Sequence, residues 1–298
     1  MSAAPTVHLV DATYELFRSH FGAPPRTAPD GTEVGATRGL ALSMLYLLRE
    51  ERATHVACAT DHVIRSFRNA LWPGYKTEEG MDPALHAQFP IVEDVLRAMG
   101  LVVWPMVELE ADDALASGAR RYGAEASQIV VCTVDKDLAQ TVVGERVIMS
   151  DRRRKTTMDE AGVVAKFGVL PKQIPDLLAL VGDTADGFPG LSGFGMKSAA
   201  AVLVAFGRIE DIPDDVARWP KSVRGAPRLA ATLQENREAA MLFKNLATLR
   251  DDAPPTESID ELEWRGPTKD LASLAEKYGL GDLAERTQAL ASARARGG

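Results

Sequence analysis

The sequence has few cysteines and no long apolar run. Its 298 residues include only two cysteines, Cys58 and Cys132. Both lie in apolar runs typical of strands, so we expect buried free thiols in a reducing compartment rather than a disulfide or a metal site. No apolar stretch approaches the roughly 20 residues that cross a bilayer. The N-terminus lacks the basic and apolar segments of a signal peptide. We therefore expect a cytoplasmic protein.

An excess of basic residues is also absent. The chain has 34 Lys and Arg residues against 42 Asp and Glu residues, which gives a formal net charge of −8. This value neither favours nor excludes a nucleic-acid partner, because phosphate contacts depend on where the positive charge lies. A localised group of acids could account for the whole excess. The distribution of the acids is therefore more informative than their sum.

The first half of the sequence alternates between two apolar patterns. Short apolar runs predict strands, and apolar residues at helical spacing predict helices that separate them. Gly100 follows the second predicted helix, residues 84–99, at its C-cap position. The predicted strands are residues 6–10, 54–60, 101–107 and 129–134, and the predicted helices are residues 37–50, 84–99 and 111–122. This alternation predicts βαβ units and a mainly parallel sheet flanked by helices.

Beyond residue 158 the pattern becomes helical, with short Gly/Pro turns and no convincing strand. We therefore predict an α/β fold class, with an α/β core over residues 1–157 and an α-helical region over residues 158–298. The Ala/Arg/Gly tail, residues 291–298, is predicted to fray. The predicted helices are residues 159–167, 171–181, 196–206, 235–248 and 268–277.

Acidic residues follow three of the predicted strands. Asp11, Asp61 and Asp135 each come just after a strand, at the sheet edge where ligands of α/β proteins bind. One such acid would be unremarkable, because Asp often starts turns and caps helices. Three acids at three strand ends form a pattern that predicts a site at this edge.

Further acids lie in three short segments, and each segment alone has a simpler explanation. Glu110, Asp112 and Asp113 could be charges that stabilise a helix N-terminus. Asp137, beside Asp135, could belong to a solvated turn. Asp183 and Asp186 could cap a helix from a loop.

Taken together, these segments bring nine carboxylates to one edge of the predicted sheet. Without the nine, the rest of the chain has a net charge of +1. Carboxylates this close raise each other's pKa and destabilise the fold unless cations compensate them. Oxygen ligands without His or Cys select Mg²⁺ or Mn²⁺, and two such ions can hydrolyse a phosphodiester. The five histidines form no nucleophilic triad. The pattern therefore predicts a metal-dependent phosphodiesterase.

Six segments also carry a family resemblance between about residues 7 and 212. They occur in the order LVDATYELFR, ATDHVIRSFRNALWPGYK, LEADDALAS, TVDKDLAQ, GDTADGFPG and GLSGFGMKSAAAVLVAFG. With these segments the chain resembles the flap endonuclease and 5′→3′ exonuclease family, which includes the N-terminal nuclease domain of bacterial DNA polymerase I. The resemblance implies hydrolysis of DNA at 5′ flaps and 5′ ends in replication and repair.

The resemblance also implies roles for individual residues. The nine acids would form a centre for two Mg²⁺ or Mn²⁺ ions, some binding directly and others through water. Arg68 and Lys76 match catalytic basic residues bordering a helical arch, here about residues 62–90. Lys76 would touch the scissile phosphate, although without the resemblance it would read as an ordinary surface lysine.

Residues 190–206 match the helix–turn–helix element that grips duplex DNA in the family. The glycines of this segment let two stretches of backbone approach closely. The N–H groups at the start of the predicted helix 196–206 can face a phosphate. In relatives, carbonyls of this turn also hold K⁺. The alternative is a helical hairpin that only packs. The implied DNA-binding residues are Gly190, Gly193, Gly195 and Lys197.

Several features leave the substrate and partners open. Thr77-Glu78-Glu79 place acids where relatives have polar and basic residues, which bears on strand threading. Arg152-Arg153-Arg154-Lys155 could be a solvated turn or a DNA contact. We expect a free-standing monomer beside a separate polymerase. The alternatives are a PIN-type ribonuclease and a non-catalytic DNA-binding scaffold.

Overall fold

The computed structural model describes residues 4–253 and 255–297. Its regular elements follow the predicted alternation of strands and helices in the first half and become mostly helical afterwards. The strands are β1 Thr6–Asp11, β2 His55–Asp61, β3 Val102–Met106, β4 Gln128–Cys132, β5 Val147–Asp151 and β6 Thr156–Met158. The helices are α1 Ala12–Gly22, α2 Gly35–Arg49, α3 Arg68–Leu71, α4 Pro83–His86, α5 Gln88–Ala98, α6 Ala111–Tyr122, α7 Glu160–Phe167, α8 Ile174–Val181, α9 Met196–Phe206, α10 Ala226–Glu235, α11 Arg237–Ala247, α12 Leu271–Lys277 and α13 Leu283–Gly297.

The described chain divides into two compact units, each formed from separate stretches of sequence. The first contains the residues up to Ile64, Glu78–Thr133 and the residues from Asp251 onward. The second contains Arg65–Thr77 and Val134–Arg250. The predicted boundary at residue 157 and the arch over residues 62–90 stay predictions. In that segment the chain forms the short helices α3 and α4 and the start of α5.

The first unit is built on a parallel sheet. Strand β1 pairs with β2 and with β4, and β2 pairs with β3, so the order is β3-β2-β1-β4. The register places Asp11 beside Ala59 and Asp61 beside Met106, at the C-terminal ends of β1 and β2. The strands are mostly buried because helices cover the faces of a parallel sheet. The predicted mainly parallel sheet flanked by helices is confirmed.

Helices α2 and α5 supply much of the apolar core of this unit. Leu40, Met44 and Leu47 of α2 are fully buried at the predicted helical spacing. Both cysteines are buried free thiols, as predicted. Gly100, after α5, has a φ of +84°, and a Cβ there would lie 2.0 Å from the carbonyl oxygen of Gly266. Glycine is therefore required where the chain leaves α5.

The second unit combines the β5–β6 hairpin with helices. Strands β5 and β6 pair antiparallel, with Met149 opposite Met158. Aromatic packing joins α11 to two loops: the ring centroid of Phe243 lies 5.7 Å from that of Phe188 and 5.4 Å from that of Trp72. The described residues beyond 158 form no further named strand, so the predicted helical region is confirmed.

The C-terminal tail is helical over residues 291–297 rather than frayed as predicted, and Gly298 lies outside the described residues. The tail continues α13, in which Arg294 donates hydrogen bonds to the carbonyl oxygens of Leu48 and Ala53. Its guanidinium also lies 4.9 Å from the ring centroid of Trp264. The Ala/Arg composition gave no sign of these contacts, because their partners come from distant parts of the chain. Within the described ranges, no helix has the length and apolarity that a membrane span requires.

The contacts of Arg294 give a first prediction. Arg294→Ala should lower the free energy of unfolding by about 1–3 kcal/mol, because two carbonyls lose a charged donor. Thermal and urea denaturation would measure the change. Arg296→Ala, on the exposed side of the same helix, is the control and should have little effect. Equal effects of the two substitutions would contradict the anchoring role.

Candidate metal centre

Asp11 and Asp61 are the first two acids at the C-terminal edge of the parallel sheet. Asp11 caps α1: its Oδ1 accepts from the Tyr14 N–H at 2.8 Å and its Oδ2 from the Thr133 hydroxyl at 2.8 Å. Oδ1 of Asp61 accepts from the Ala111 N–H at 2.7 Å. Both side chains are buried. The strand-end argument therefore placed these two residues correctly on the fold.

The EADD segment opens α6 in the same unit. Glu110 and Asp113 form a capping box, and the Glu110 N–H donates to Oδ2 of Asp113 at 3.0 Å. Both are buried, whereas Asp112 is half-buried. Glu110 and Asp113 can cap the helix and also bind a ligand, because capping uses only part of each carboxylate's acceptor capacity. Five of the nine candidate ligands lie in this unit, all within the described residues. No three of these five bring ligand atoms within 4.8 Å of one another.

A tighter acidic group lies in the second unit. Ligand oxygens of Asp137, Asp183 and Asp186 all lie within 4.8 Å of one another, and we call these residues the acid trio. Asp137 begins a 3₁₀ helix, and its N–H donates to Oδ1 of Asp135 at 3.0 Å. Asp135 follows β4 by three residues, so it is not directly at the strand end as predicted.

The loop after α8 holds Asp183 and Asp186. Asp183 and Phe188 exchange backbone hydrogen bonds at 2.8 and 3.0 Å, which closes the loop into a short bridge. Gly187 has a φ of +81°, and a Cβ there would lie 2.0 Å from the Gly74 carbonyl oxygen. Glycine is therefore needed for the loop to approach the Lys76 segment.

Asp137 of the trio is buried among like charges. Its burial, together with the charges of Asp135, Asp186 and Asp183, raises its pKa well above the usual range. Its Oδ1 is buried and has no hydrogen-bond partner among the described residues. This oxygen therefore has acceptor capacity left for a bound cation, in addition to the Lys136 ammonium that lies 3.9 Å away.

The trio fits a divalent cation such as Mg²⁺ or Mn²⁺. It offers hard carboxylate oxygens, one of them unpaired, from three side chains close enough to share an ion. No sulfur or imidazole ligand belongs to the group, which is the donor set that these ions prefer. Divalent-metal binding is thus supported, whereas the choice between Mg²⁺ and Mn²⁺ is not decided by these ligands.

Lys136 is a residue of this group that sequence reasoning missed. Its ammonium forms an ion pair with Asp183 and lies 3.9 Å from Oδ1 of Asp137. Burial alone would lower the pKa of Lys136, but the hydrogen bond to Asp183 and the surrounding carboxylates raise it. The sequence places this lysine directly between two predicted metal ligands, Asp135 and Asp137.

The two predicted catalytic cations have different environments. Lys76 is partly exposed, and its ammonium lies 3.5 Å from Oδ1 of Asp186. Arg68 is 1% exposed, and its guanidinium donates to the carbonyl oxygens of Leu246 and Thr248 at 2.8 and 3.1 Å. These contacts assign Arg68 a structural role that its sequence motif did not reveal. A catalytic role for either residue stays a prediction.

The predicted helix–turn–helix region forms a hairpin of α8 and α9. Gly190 has a φ of +68°, and a Cβ there would lie 2.3 Å from the Gly182 nitrogen. Gly195 caps α9, where its N–H donates to the Ser198 hydroxyl at 2.9 Å. A cleft of about 780 Å³ at this helix N-terminus is lined by Gly193, Gly195, Met196, Lys197, Ser198, Ala201, Ser222 and Arg224. Sequence reasoning had not identified Ser222 or Arg224, because neither lies in the hairpin segment.

The basic run Arg152–Lys155 forms the turn between β5 and β6. Lys155 adopts a φ of +54°, and the side chains at 153–155 are exposed. Both explanations of this run, a solvated turn and a DNA contact, stay open.

Comparison with known proteins identifies the family. Residues 6–168 match the model of the 5′-3′ exonuclease N-terminal resolvase-like domain. The chain belongs to the 5′-3′ exonuclease family. Residues 169–270 match the C-terminal SAM fold of the same family. The resemblance inferred from the six sequence segments is confirmed.

Similar proteins include both separate and fused nucleases. A 5′-3′ exonuclease of Aquifex aeolicus is 29% identical over 91% of this chain and 90% of its own length. DNA polymerase I of Pseudomonas aeruginosa is 36% identical over 88% of this chain but 29% of its own length. The chain thus spans about three tenths of the length of that relative. Members of the 5′-3′ exonuclease family are hydrolases of DNA phosphodiester bonds.

Solved structures share the fold at low sequence identity. T5 5′-exonuclease superposes with a TM-score of 0.64 at 15% identity, covering 97% of this chain and 98% of the other. A T5 flap endonuclease complexed with DNA and metal ions has a TM-score of 0.65 at 18% identity, covering 91% and 99%. The fold of 5′-3′ exonucleases and flap endonucleases therefore extends over nearly the whole chain.

The unpaired Asp137 oxygen gives a second prediction. In EDTA, Asp137→Asn should raise the free energy of unfolding by about 1–3 kcal/mol, because it removes a buried charge repelled by its neighbours. The same variant should be stabilised less by added Mn²⁺, since one ligand is lost. Thermal denaturation with and without Mn²⁺ measures both effects.

Asp176→Asn is the matched control for this experiment. Asp176 is equally buried, but it pairs with Lys244 at 2.8 Å and accepts from the Ile209 N–H at 2.9 Å. The control should therefore lose stability in EDTA and keep its response to Mn²⁺. A loss of stability in both variants would show that Asp137 is already compensated.

Proposed function

We propose that the chain is a metal-dependent 5′→3′ exonuclease and 5′-flap endonuclease that acts on DNA in replication and repair. The observation that carries the proposal is the acid trio, in which a buried Asp137 oxygen has no hydrogen-bond partner among the described residues. A buried carboxylate oxygen without a hydrogen bond is unfavourable for the fold, so its presence supports a role in metal binding. Family membership assigns the chemistry of a nuclease to it.

The nine acids are proposed to hold the metal ions. Asp137, Asp183 and Asp186 are the best supported, because their oxygens lie together. Bound Mg²⁺ or Mn²⁺ would activate water and stabilise the charge that develops on the scissile phosphate. That two ions bind, and that all nine acids form one centre, stay predictions. The remaining proposed ligands are Asp11, Asp61, Glu110, Asp112, Asp113 and Asp135.

Lys76 is the proposed cation for the substrate phosphate. Its partial exposure and its ion pair with Asp186 leave it beside the acid trio and accessible to a ligand. An ammonium at this position stabilises negative charge that develops on a phosphate oxygen. Arg68, by contrast, is proposed to position the segment that carries Lys76, because its guanidinium ties α3 to the end of α11.

The substrate is proposed to be DNA with a 5′ flap or 5′ end, held in part by the α8–α9 hairpin. Gly190, Gly193 and Gly195 allow close backbone approach, and Lys197 and Arg224 line the cleft at the α9 N-terminus. A T5 flap endonuclease of the same fold is complexed with DNA and metal ions. K⁺ bound at the hairpin turn remains a prediction, as do cytoplasmic location, a monomeric state and cooperation with a separate polymerase.

A ribonuclease of the PIN type is the second candidate. It would use the same acids, but unpaired RNA has no need of a hairpin that grips a duplex. Cleavage of a 5′-flap DNA, a nicked duplex and unpaired RNA of equal length, each with product lengths resolved, distinguishes the two functions.

The metal assignment gives a third prediction. With Mg²⁺, Asp135→Ala and Asp112→Ala should each lower the cleavage rate of a 5′-flap DNA by about 100-fold or more, since lost ligands weaken metal capture. DNA binding in Ca²⁺, measured by fluorescence anisotropy, should change little, because neither acid attracts phosphate. Glu235→Ala, an exposed acid at the end of α10, is the control. Wild-type cleavage by either Asp variant would refute its assignment.

The hairpin gives a fourth prediction. Lys197→Glu should weaken duplex binding and reduce the salt slope of log Kd by about 1 to 2, because a phosphate contact and its released counterion are lost. Anisotropy titrations at several salt concentrations measure the slope. Lys166→Glu makes the same charge change on the exposed face of α7 and should leave the slope nearly unchanged. An identical slope in both variants would exclude the hairpin as a DNA contact.

A further inference from the structure

Lys136 places a positive charge inside the acid trio. Its neighbours in the chain are Asp135 and Asp137, and its side chain reaches across to Asp183 in the loop after α8. The ammonium therefore joins two segments that are about 46 residues apart in sequence. It is one of two ammonium groups beside the acid trio, the other being that of Lys76, which lies 3.5 Å from Oδ1 of Asp186.

Lys136 compensates the acids only in part. It pairs with Asp183 and lies 3.9 Å from Oδ1 of Asp137, while the Lys76 ammonium lies 3.5 Å from Oδ1 of Asp186. Oδ1 of Asp137 still lacks a hydrogen bond among the described residues. Asp183 is satisfied differently: its Oδ1 accepts from the Ala185 N–H at 3.0 Å, and its Oδ2 binds Lys136. Lys136 thus occupies the carboxylate oxygen of Asp183 that a metal ion would take.

We propose that Lys136 is a built-in counter-ion that competes with the divalent metal for Asp183. In the ion-free protein it holds the DKD segment and the GDTAD loop together. A bound metal ion competes with the ammonium for Asp183, because the two cations repel each other. The inference rests on the proposed function, and it makes Lys136 a residue that sets metal affinity rather than a metal ligand.

The chemistry of lysine suits such an exchange. Its ammonium is a point charge on a flexible stem of four carbons, so it can leave one partner without moving the backbone. The Lys136 side chain is 37% exposed, which gives the released ammonium access to solvent. A fixed guanidinium held by several carbonyls, such as that of Arg68, would lack this freedom.

A purely structural ion pair is the competing explanation, and the chain contains a matched example. Lys244 binds the buried Asp176 at 2.8 Å and the exposed Glu210 at 2.8 Å, outside the acid trio. Burial alone would lower the pKa of Lys244, but its acidic partners raise it, as they do for Lys136. Loss of either lysine should destabilise the fold, but only Lys136 should affect metal binding.

The experiment is a Mn²⁺ titration of the full chain by calorimetry, combined with melting curves in EDTA. Lys136→Gln removes the charge and keeps a hydrogen-bond donor, so the Mn²⁺ Kd should fall about tenfold while the Tm in EDTA decreases. Lys136→Arg keeps the charge and should leave the Kd within about threefold of wild type. Lys244→Gln should lower the Tm and leave the Kd unchanged.

The outcomes separate this inference from the proposed function. A wild-type chain that bound no Mn²⁺ would overturn both. Binding of Mn²⁺ by the wild type, with an equal or higher Kd in Lys136→Gln, would overturn the role of Lys136 alone. A lower Kd in Lys244→Gln as well would also overturn it, because the effect would then reflect general loss of charge.

Discussion

The cost of burying carboxylates governs the organisation of both units. The first unit offsets this cost with hydrogen bonds: Asp11 receives them from Tyr14 and Thr133, Asp61 from Ala111, and Asp113 from Glu110. The second unit leaves Asp137 partly uncompensated, although Asp183 is paired with Lys136. Two solutions to the same problem therefore coexist in one chain. Among the described candidate acids, only Asp137 of the second unit has a buried carboxylate oxygen, Oδ1, without a hydrogen bond.

Backbone contacts hold the like-charged side chains of the acid trio close together. Like-charged side chains separate unless the main chain holds them, and here a bridge between Asp183 and Phe188 fixes one side. The left-handed Gly187 lets this loop approach the Gly74 carbonyl, and the Lys76 N–H donates to the Asp186 carbonyl oxygen at 3.1 Å. The loop that carries two acids is thus attached to the segment that carries Lys76. Electrostatic strain in the side chains is balanced by rigid backbone contacts, a combination expected at functional sites.

Sequence patterns predicted the parts of the fold that depend on local periodicity. The parallel strands and the positions of Asp11 and Asp61 follow from apolar runs that end in an acid, and α9 has the predicted bounds. The α13 anchor was missed because Arg294 contacts carbonyls about 240 residues away. Asp137 lies close to Asp183 and Asp186 because two loops approach each other, and sequence periodicity does not predict such an approach. The family motifs identify these three residues, whereas the structure shows how close they are.

The contrast between Arg68 and Lys76 shows what a motif leaves undecided. Both lie in one segment of the family resemblance, eight positions apart, and both are predicted to be catalytic cations. Arg68 is buried and donates to backbone carbonyls, whereas Lys76 is partly exposed beside Asp186. A cation whose donors already have partners has little left to offer a phosphate, because each new bond would break an existing one. Residue type therefore predicts the same role for both cations, whereas their contacts support that role better for Lys76 than for Arg68.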